Sequence, residues 1–104
     1  MALCGGVSKE LKEADEEVQA ICDKIKPKAE VESGRKFDVF KATHYKTQVV
    51  AGTNFFIKVH VGNNNYVHLR VYRTLPCAGE TLKLSAMLVD KSESDEVQYF
   101  EASS

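Results

Sequence analysis

Residues 53–74 read TNFFIKVHVGNNNYVHLRVYRT, two alternating runs either side of a Gly-Asn-Asn-Asn turn. From Thr53 to Val61, Phe55, Ile57, Val59 and Val61 fall on one face and Phe56, Lys58 and His60 on the other. That period of two belongs to a half-buried strand. Gly62 to Asn65 tolerate positive φ and so reverse the chain. Tyr66 to Thr74 alternates again, with Val67, Leu69 and Val71 inside. The stretch therefore predicts an antiparallel hairpin with one apolar and one polar face. Centred on Asn64, it sets Val59 against Leu69 and Ile57 against Val71 on the core face. Phe56 then meets Tyr72, and His60 meets His68, on the outer face.

The same period continues on both sides. Thr81 to Val89 reads as a strand with Leu82, Leu84, Ala86 and Leu88 in phase. Lys91 to Glu96 is a charged connection, and Val97 to Phe100 adds a short final strand. Upstream, Phe37 to Thr47 is a first strand. Pairing it about Val50 would put Thr43 and Lys41 in the core, so a one-residue shift or a bulge is expected, bringing Ala42 and Phe40 inside. Ahead of the strands the period changes to that of a helix. Leu11, Ala14, Val18, Ile21, Cys22, Ile25 and Ala29 recur at three and four and make one apolar stripe over residues 8–33. Pro27 should kink or end this helix, and Ser33-Gly34 should stop it. Residues 1–7, with Gly5-Gly6, read as a flexible arm. The stripe and the apolar sheet face need each other. The expectation is one α+β domain over residues 1–104, a long N-terminal helix packed on a four- to five-stranded antiparallel sheet over 37–100.

Composition narrows the function classes. The chain has 104 residues, 43% of them hydrophobic, and 14 basic against 15 acidic residues leave a net charge of −1. That balance argues against a protein that tracks nucleic-acid phosphates. No apolar run approaches the roughly 20 residues of a membrane span. The opening residues, MALCGGVSKE, lack the basic and apolar regions of a secretory leader. The cysteines, Cys4, Cys22 and Cys77, are odd in number and widely spaced, with no C-x-x-C pair. A zinc knuckle and a dithiol redox site are therefore not expected, and a reducing, cytoplasmic location is, with the nucleus open as an additional compartment. Cys22 belongs to the buried helix stripe, and Cys4 and Cys77 are expected to be exposed.

One segment breaks the rules of its position. The turn between the first two strands is Gln48-Val49-Val50-Ala51-Gly52. Hairpin tips favour Gly, Asn, Asp or Pro, yet two β-branched residues and an alanine stand here. Such a tip either packs on its own domain or serves a partner's groove. Leu75-Pro76-Cys77 is a second apolar turn. Alternate turns of a meander share one end of the sheet, and the arm starts near that end if the helix runs antiparallel to the first strand. Three apolar segments would then form one narrow edge.

Gln48 to Gly52 is similar to the Q-V-V-A-G signature of the cystatins, inhibitors of papain-like cysteine proteases. The run from Lys46 to Tyr72, KTQVVAGTNFFIKVHVGNNNYVHLRVY, resembles the stefin subfamily, as do Cys4-Gly5 at the start and Leu75-Pro76 in the second turn. The resemblance implies a cytoplasmic inhibitor that is not an enzyme, needs no cofactor, binds neither nucleic acid nor membrane, and partners papain-like proteases of the cathepsin type. It further implies a reversible, competitive wedge. Met1 to Cys4 would lie in the unprimed subsites with Gly5 as hinge. Gln48, Val49, Val50, Ala51 and Gly52 would sit over the catalytic Cys–His pair, and Leu75, Pro76 and Cys77 on the primed side. The protein is expected to be a monomer that can exchange strands into a domain-swapped dimer.

Other chemistries are weaker. His60 and His68, opposed across a hairpin, could begin a metal site but lack a third ligand. Lys58, Arg70, Arg73, Phe56 and Tyr72 on an outer face could stack and hold single-stranded nucleic acid, but no supporting motif accompanies them. Cys77 with His44 or His68 matches a nucleophile and base by residue type alone.

Overall fold

A computed structural model describes residues 11–74 and 81–97, and of Val50 the backbone only. Lys12–Glu13 form a short strand β1, Glu16–Ser33 the helix α1, and Lys41–Val50, Gly52–His60, Tyr66–Arg73 and Leu82–Lys91 the strands β2 to β5. The five strands lie in chain order in one antiparallel meander.

The helix starts later than its apolar stripe suggests. Residues 12 and 13 pair with Tyr45 and His44 at the sheet edge instead of winding into a first turn. Asp15 then caps the helix in extended conformation, its Oδ1 accepting the Val18 N–H at 2.9 Å. Leu11, assigned to the stripe, is 49% exposed. Ala14, also assigned to it, precedes the helix and packs half-buried on the core, while Val18, Ile21, Cys22, Ile25 and Ala29 are buried on the helix as expected. Pro27 neither ends nor starts the helix but lies within it on the solvent side. Its ring forgoes one backbone bond, and the packing of Ile25 and Ala29 on either side carries the helix through. Gly34 ends it in left-handed conformation (φ 70°), its N–H donating to the Glu30 carbonyl at 2.9 Å.

Phe37 to Phe40, expected as strand, form an irregular lead-in with both phenylalanines buried. Gln19 of the helix fixes it. The Gln19 Nε2 donates to the Phe40 carbonyl at 3.1 Å, and its Oε1 accepts the Ala42 N–H at 2.9 Å. The expected bulge is present at Thr43: Ala42 faces Val59, while His44 faces Lys58. It turns Ala42 into the core, where Phe37, Phe40, Ile57, Val59, Val67, Leu69 and Val71 meet the helix stripe. Each such aliphatic, fully buried, stabilises the fold by about 1.5–3 kcal/mol before entropy is counted.

Two registers differ from the reading of the sequence. The second hairpin is centred one residue earlier, on Asn63, so Ile57 meets Leu69 and Val59 meets Val67. Asn63 and Asn64 both take left-handed φ (51° and 57°), with the Asn65 N–H donating to the Gly62 carbonyl at 2.9 Å. This tight turn sets the register. Each residue's partner moves by two, so every side chain keeps its face. In β5 the partner of Arg70 is Ala86 and that of Val71 is Leu84, leaving Ser85 extra. Leu82, Leu84, Met87 and Val89 therefore pack on the core, and Ala86 and Leu88 leave it, contrary to the simple alternation.

Among the described residues the fifth strand is β1. Val97 is buried but outside any strand, and residues 98–100 lie outside the described residues. Nor is the outer face simply polar. The Lys58 ammonium donates to the Glu93 carbonyl, and Phe56, Lys58, Tyr66 and His68 are all buried.

Candidate functional site

Strands β2 and β3 run to the Val50–Gly52 pair and leave Ala51 alone at the apex. Behind it, Gln48 faces Asn54 and Val49 faces Thr53. Gln48 and Asn54 are each 6% exposed, and the Asn54 Nδ2 donates to the Gln48 Oε1 at 2.8 Å. The polar pair is thus hydrogen-bonded under the tip, as buried amides must be. Val49 is 67% exposed, and Ala51 is exposed too. Val49 and Ala51 do not pack back on their own domain.

Gly52 is required on two counts. Its φ of 120° is one that L side chains rarely adopt. A Cβ placed there would lie 2.5 Å from the Arg73 carbonyl oxygen, 2.8 Å from the Tyr72 hydroxyl and 2.9 Å from the Tyr72 Cε1. The Tyr72 hydroxyl donates to the Ala51 carbonyl. Next to it, Arg73 pairs with Glu17 of the helix at 2.9 Å and lies 4.8 Å from the Phe55 ring. Arg73 therefore stands on the helix side of the sheet, not on the outer face assigned to it.

The neighbouring chain ends gather at this end of the sheet. Thr53, Arg73 and Leu82 form one row across three strands. Beyond it the Thr74 N–H donates to the Thr81 carbonyl at 3.1 Å, and the Thr81 N–H to the Thr74 Oγ1 at 2.8 Å. These bonds join Thr74 and Thr81, the two residues that flank 75–80. Since β1 is antiparallel to β2, Leu11 lies on the tip side of Lys12. Of the proposed site residues, Gln48, Val49, Ala51, Gly52 and the Val50 backbone are brought together here. Cys4, Gly5, Leu75, Pro76 and Cys77 lie outside the described residues. The sequence reading did not place Asn54 or Tyr72 at this site. The slid register puts Tyr72 opposite Asn54, two residues nearer the tip than the Phe56 partnership allowed.

The alternative chemistries meet a different geometry. His60 faces Tyr66 and His68 faces Lys58, so the two imidazoles are not opposed. Among the described residues no three His, Cys, Asp or Glu side chains gather as metal ligands. His68 is 2% exposed, and its Nε2 has no hydrogen-bond partner among the described residues. Burial, with help from Lys91 and Lys58 and against Asp95, pushes its pKa down to about 4. Phe56 is fully buried, which removes it as a surface for base stacking. Burial, reinforced by Asp23, pushes the Cys22 thiol up to about 12, a protonated and unreactive state at neutral pH. Among the described residues no helix is long and apolar enough to cross a membrane.

A family model for the cystatin domain matches residues 5–93. Cystatin-B of Paralichthys olivaceus is 59% identical over 98 residues, which cover 94% of this chain and 99% of that one. Leukocyte cysteine proteinase inhibitor 1 of Sus scrofa is 47% identical over 98 residues, 94% of each chain. Human Cystatin-A is 47% identical over 96 residues, 92% of this chain and 97% of its own. Cystatins are protease inhibitors, not enzymes. One helix on a five-stranded meander, a Q-V-V-A-G tip with Val49 and Ala51 exposed, and a match over most of its length together show that the chain belongs to the cystatin family of cysteine-protease inhibitors.

Proposed function

We propose that this chain inhibits papain-like proteases of the cathepsin type by reversible, competitive, tight binding. The wedge has three parts: the arm Met1 to Cys4 with Gly5 as hinge, the tip Gln48 to Gly52, and the turn Leu75, Pro76 and Cys77. The observation that carries this reading is an aliphatic, Val49, held 67% exposed beside an apex of one residue. Removing Val49 and its neighbours from water is favourable by ~25 cal/mol per Å². The tip is a continuation of two paired strands, so little order is lost on binding. The arm must be ordered on docking, so it tunes residence time more than it creates affinity. A one-residue apex is too tightly curved to lie extended past a nucleophile, which supports inhibition without an acyl-enzyme. The free protein is a monomer in this reading. Straightening the tip would merge β2 and β3 and exchange them between two chains, giving a dimer that has lost the tip and with it the inhibition. Reducing conditions suit the buried Cys22 thiol, in keeping with the cytoplasm and with the nucleus as a further compartment.

Titration of active papain tests the reading. Stoichiometric loss of activity, recovered on dilution, with trypsin unaffected, is the expected result. Papain that stays active at a large excess of the protein, or that is lost irreversibly, overturns it.

A further inference from the structure

We infer that Tyr72 is a positioning residue for the hairpin tip, its hydroxyl holding the Ala51 carbonyl so that the tip meets a protease in its binding shape. The inference rests on the inhibitory reading above. The ladder between β3 and β4 ends at Thr53 and Arg73. Val50, Ala51 and Gly52 therefore overhang the last β3–β4 pair, and the apex gains no ladder bond from β4. The Tyr72 side chain spans that gap. Its hydroxyl donates to the apex carbonyl of Ala51, and its ring edge occupies the space a Cβ on Gly52 would need. Gly52 and Tyr72 are thus a matched pair: the missing side chain of one admits the ring of the other.

The brace belongs to a row. Gln48, Asn54 and Tyr72 stand opposite one another across β2, β3 and β4. The Asn54–Gln48 bond ties the base of the tip, and the Tyr72–Ala51 bond ties its apex. Tyr72 is half-buried and not a member of the core cluster, so its hydroxyl can be removed without opening the core. A hydrogen bond that restricts a loop before docking acts by preorganisation and lengthens the life of the complex.

Tyr72→Phe keeps the ring and removes the donor. The rate at which its complex with papain dissociates is expected to rise about 3- to 10-fold, the worth of one hydrogen bond. Association should stay close to the parent, and the melting temperature should fall by no more than roughly 4–8 °C, the share of one hydrogen bond. In the free protein, amide hydrogen exchange over residues 48–54 should quicken by a similar factor, while residues 62–72 are unchanged. Replacing Tyr72 by 4-aminophenylalanine restores a donor at the same reach and should return both readouts toward the parent, which a purely steric role for the ring would not do. Dissociation and exchange that match the parent in Tyr72→Phe overturn the inference, as does quickening spread evenly over the sheet. If the parent itself fails to inhibit papain, the inhibitory reading falls, and exchange alone decides the brace: faster at 48–54 upholds it, unchanged overturns it.

Discussion

Strand β3 carries a turn at each end, and the two are built on opposite rules. At its far end, Gly62 to Asn65 is a polar turn in which Asn63 and Asn64 take left-handed φ and the Asn65 N–H closes on the Gly62 carbonyl. The φ angles and the closing bond of this turn are local, and Asn63 and Asn64 face solvent. At its start, the Val50–Ala51–Gly52 tip has a single glycine, an exposed Val49, and support borrowed from Tyr72 and from the Gln48–Asn54 pair. The first turn serves the folding of its own chain. The second keeps apolar surface in water, which makes sense where a partner later covers it. If that division is right, damage at the tip should cost inhibition at little cost to stability, and damage at the Asn end should do the reverse.

The sharpest way to break the comparison is Val49→Asp. It puts a charge where the proposed complex excludes water, with no partner to hold it. Inhibition of papain should weaken on the order of 100-fold or more, about 3 kcal/mol, since a tenfold change is about 1.4 kcal/mol. The melting temperature should not move, because Val49 is already in solvent. An inhibition constant equal to the parent's would mean the tip is not buried in the complex. Next in size is Gly52→Ala, which must adopt φ 120° and press on the Arg73 carbonyl and the Tyr72 ring. Strain of about 1–3 kcal/mol is expected. Released by shifting the tip, it should appear as roughly a 10- to 100-fold rise in inhibition constant, with only a modest fall in melting temperature. A variant that unfolds but still inhibits would put Gly52 on the stability side of the comparison.

The same contrast explains what could be read in advance. The Asn turn was legible in kind, because residues that tolerate positive φ announce themselves. Its register was not, because a two-residue slide leaves every side chain on its face and the alternation cannot tell the two apart. The bulge at Thr43 was legible because alternation about Val50 would have put Lys41 and Thr43 in the core. The irregularity at Ser85 was not, because Ala86 and Leu88 are as apolar as the Met87 and Val89 that replace them. The helix start was misplaced because Leu11 fits the stripe by spacing, while pairing of Lys12 and Glu13 to β2 is a long-range event. At the site, Gln48 to Gly52 stood out by breaking turn preferences. Tyr72 did not, since its role depends on a register and on a hydroxyl reaching across to another strand's carbonyl.

The interior of the outer face near the Asn end gives a third test, through pH. His68 faces Lys58, whose ammonium donates to the Glu93 carbonyl, with Lys91 and Asp95 nearby. Its pKa is held down at about 4 against an ordinary 6.5. Between those values the unfolded chain binds the proton and the folded one does not, so stability falls as pH drops from about 6.5 to about 4. The loss is of order 2 kcal/mol. Denaturant melts at pH 7 and pH 4.5 should show it, and His68→Gln should flatten the difference. Because this group lies on the stability side, papain titrated at pH 5.5 should still be inhibited stoichiometrically. A stability that is flat over this window in the parent would mean that the imidazole is charged in the fold.

The smallest effect expected is at the Asn turn itself. Asn64→Ala keeps the loop length but asks an alanine to hold φ 57°. The left-handed region costs such a residue about 1 kcal/mol, seen as a melting temperature lower by roughly 4–8 °C for a domain of this size. Asn64→Gly, with no Cβ to hinder it, should lie close to the parent. Both variants should inhibit papain as the parent does, since the turn is at the opposite end of β3 from the tip. The pair separates backbone strain from loss of the amide group: if alanine and glycine fall equally, the Asn64 side chain matters more than its φ. If either variant weakens inhibition by tenfold while remaining folded, the two ends of the sheet are coupled, and the division of labour between them fails.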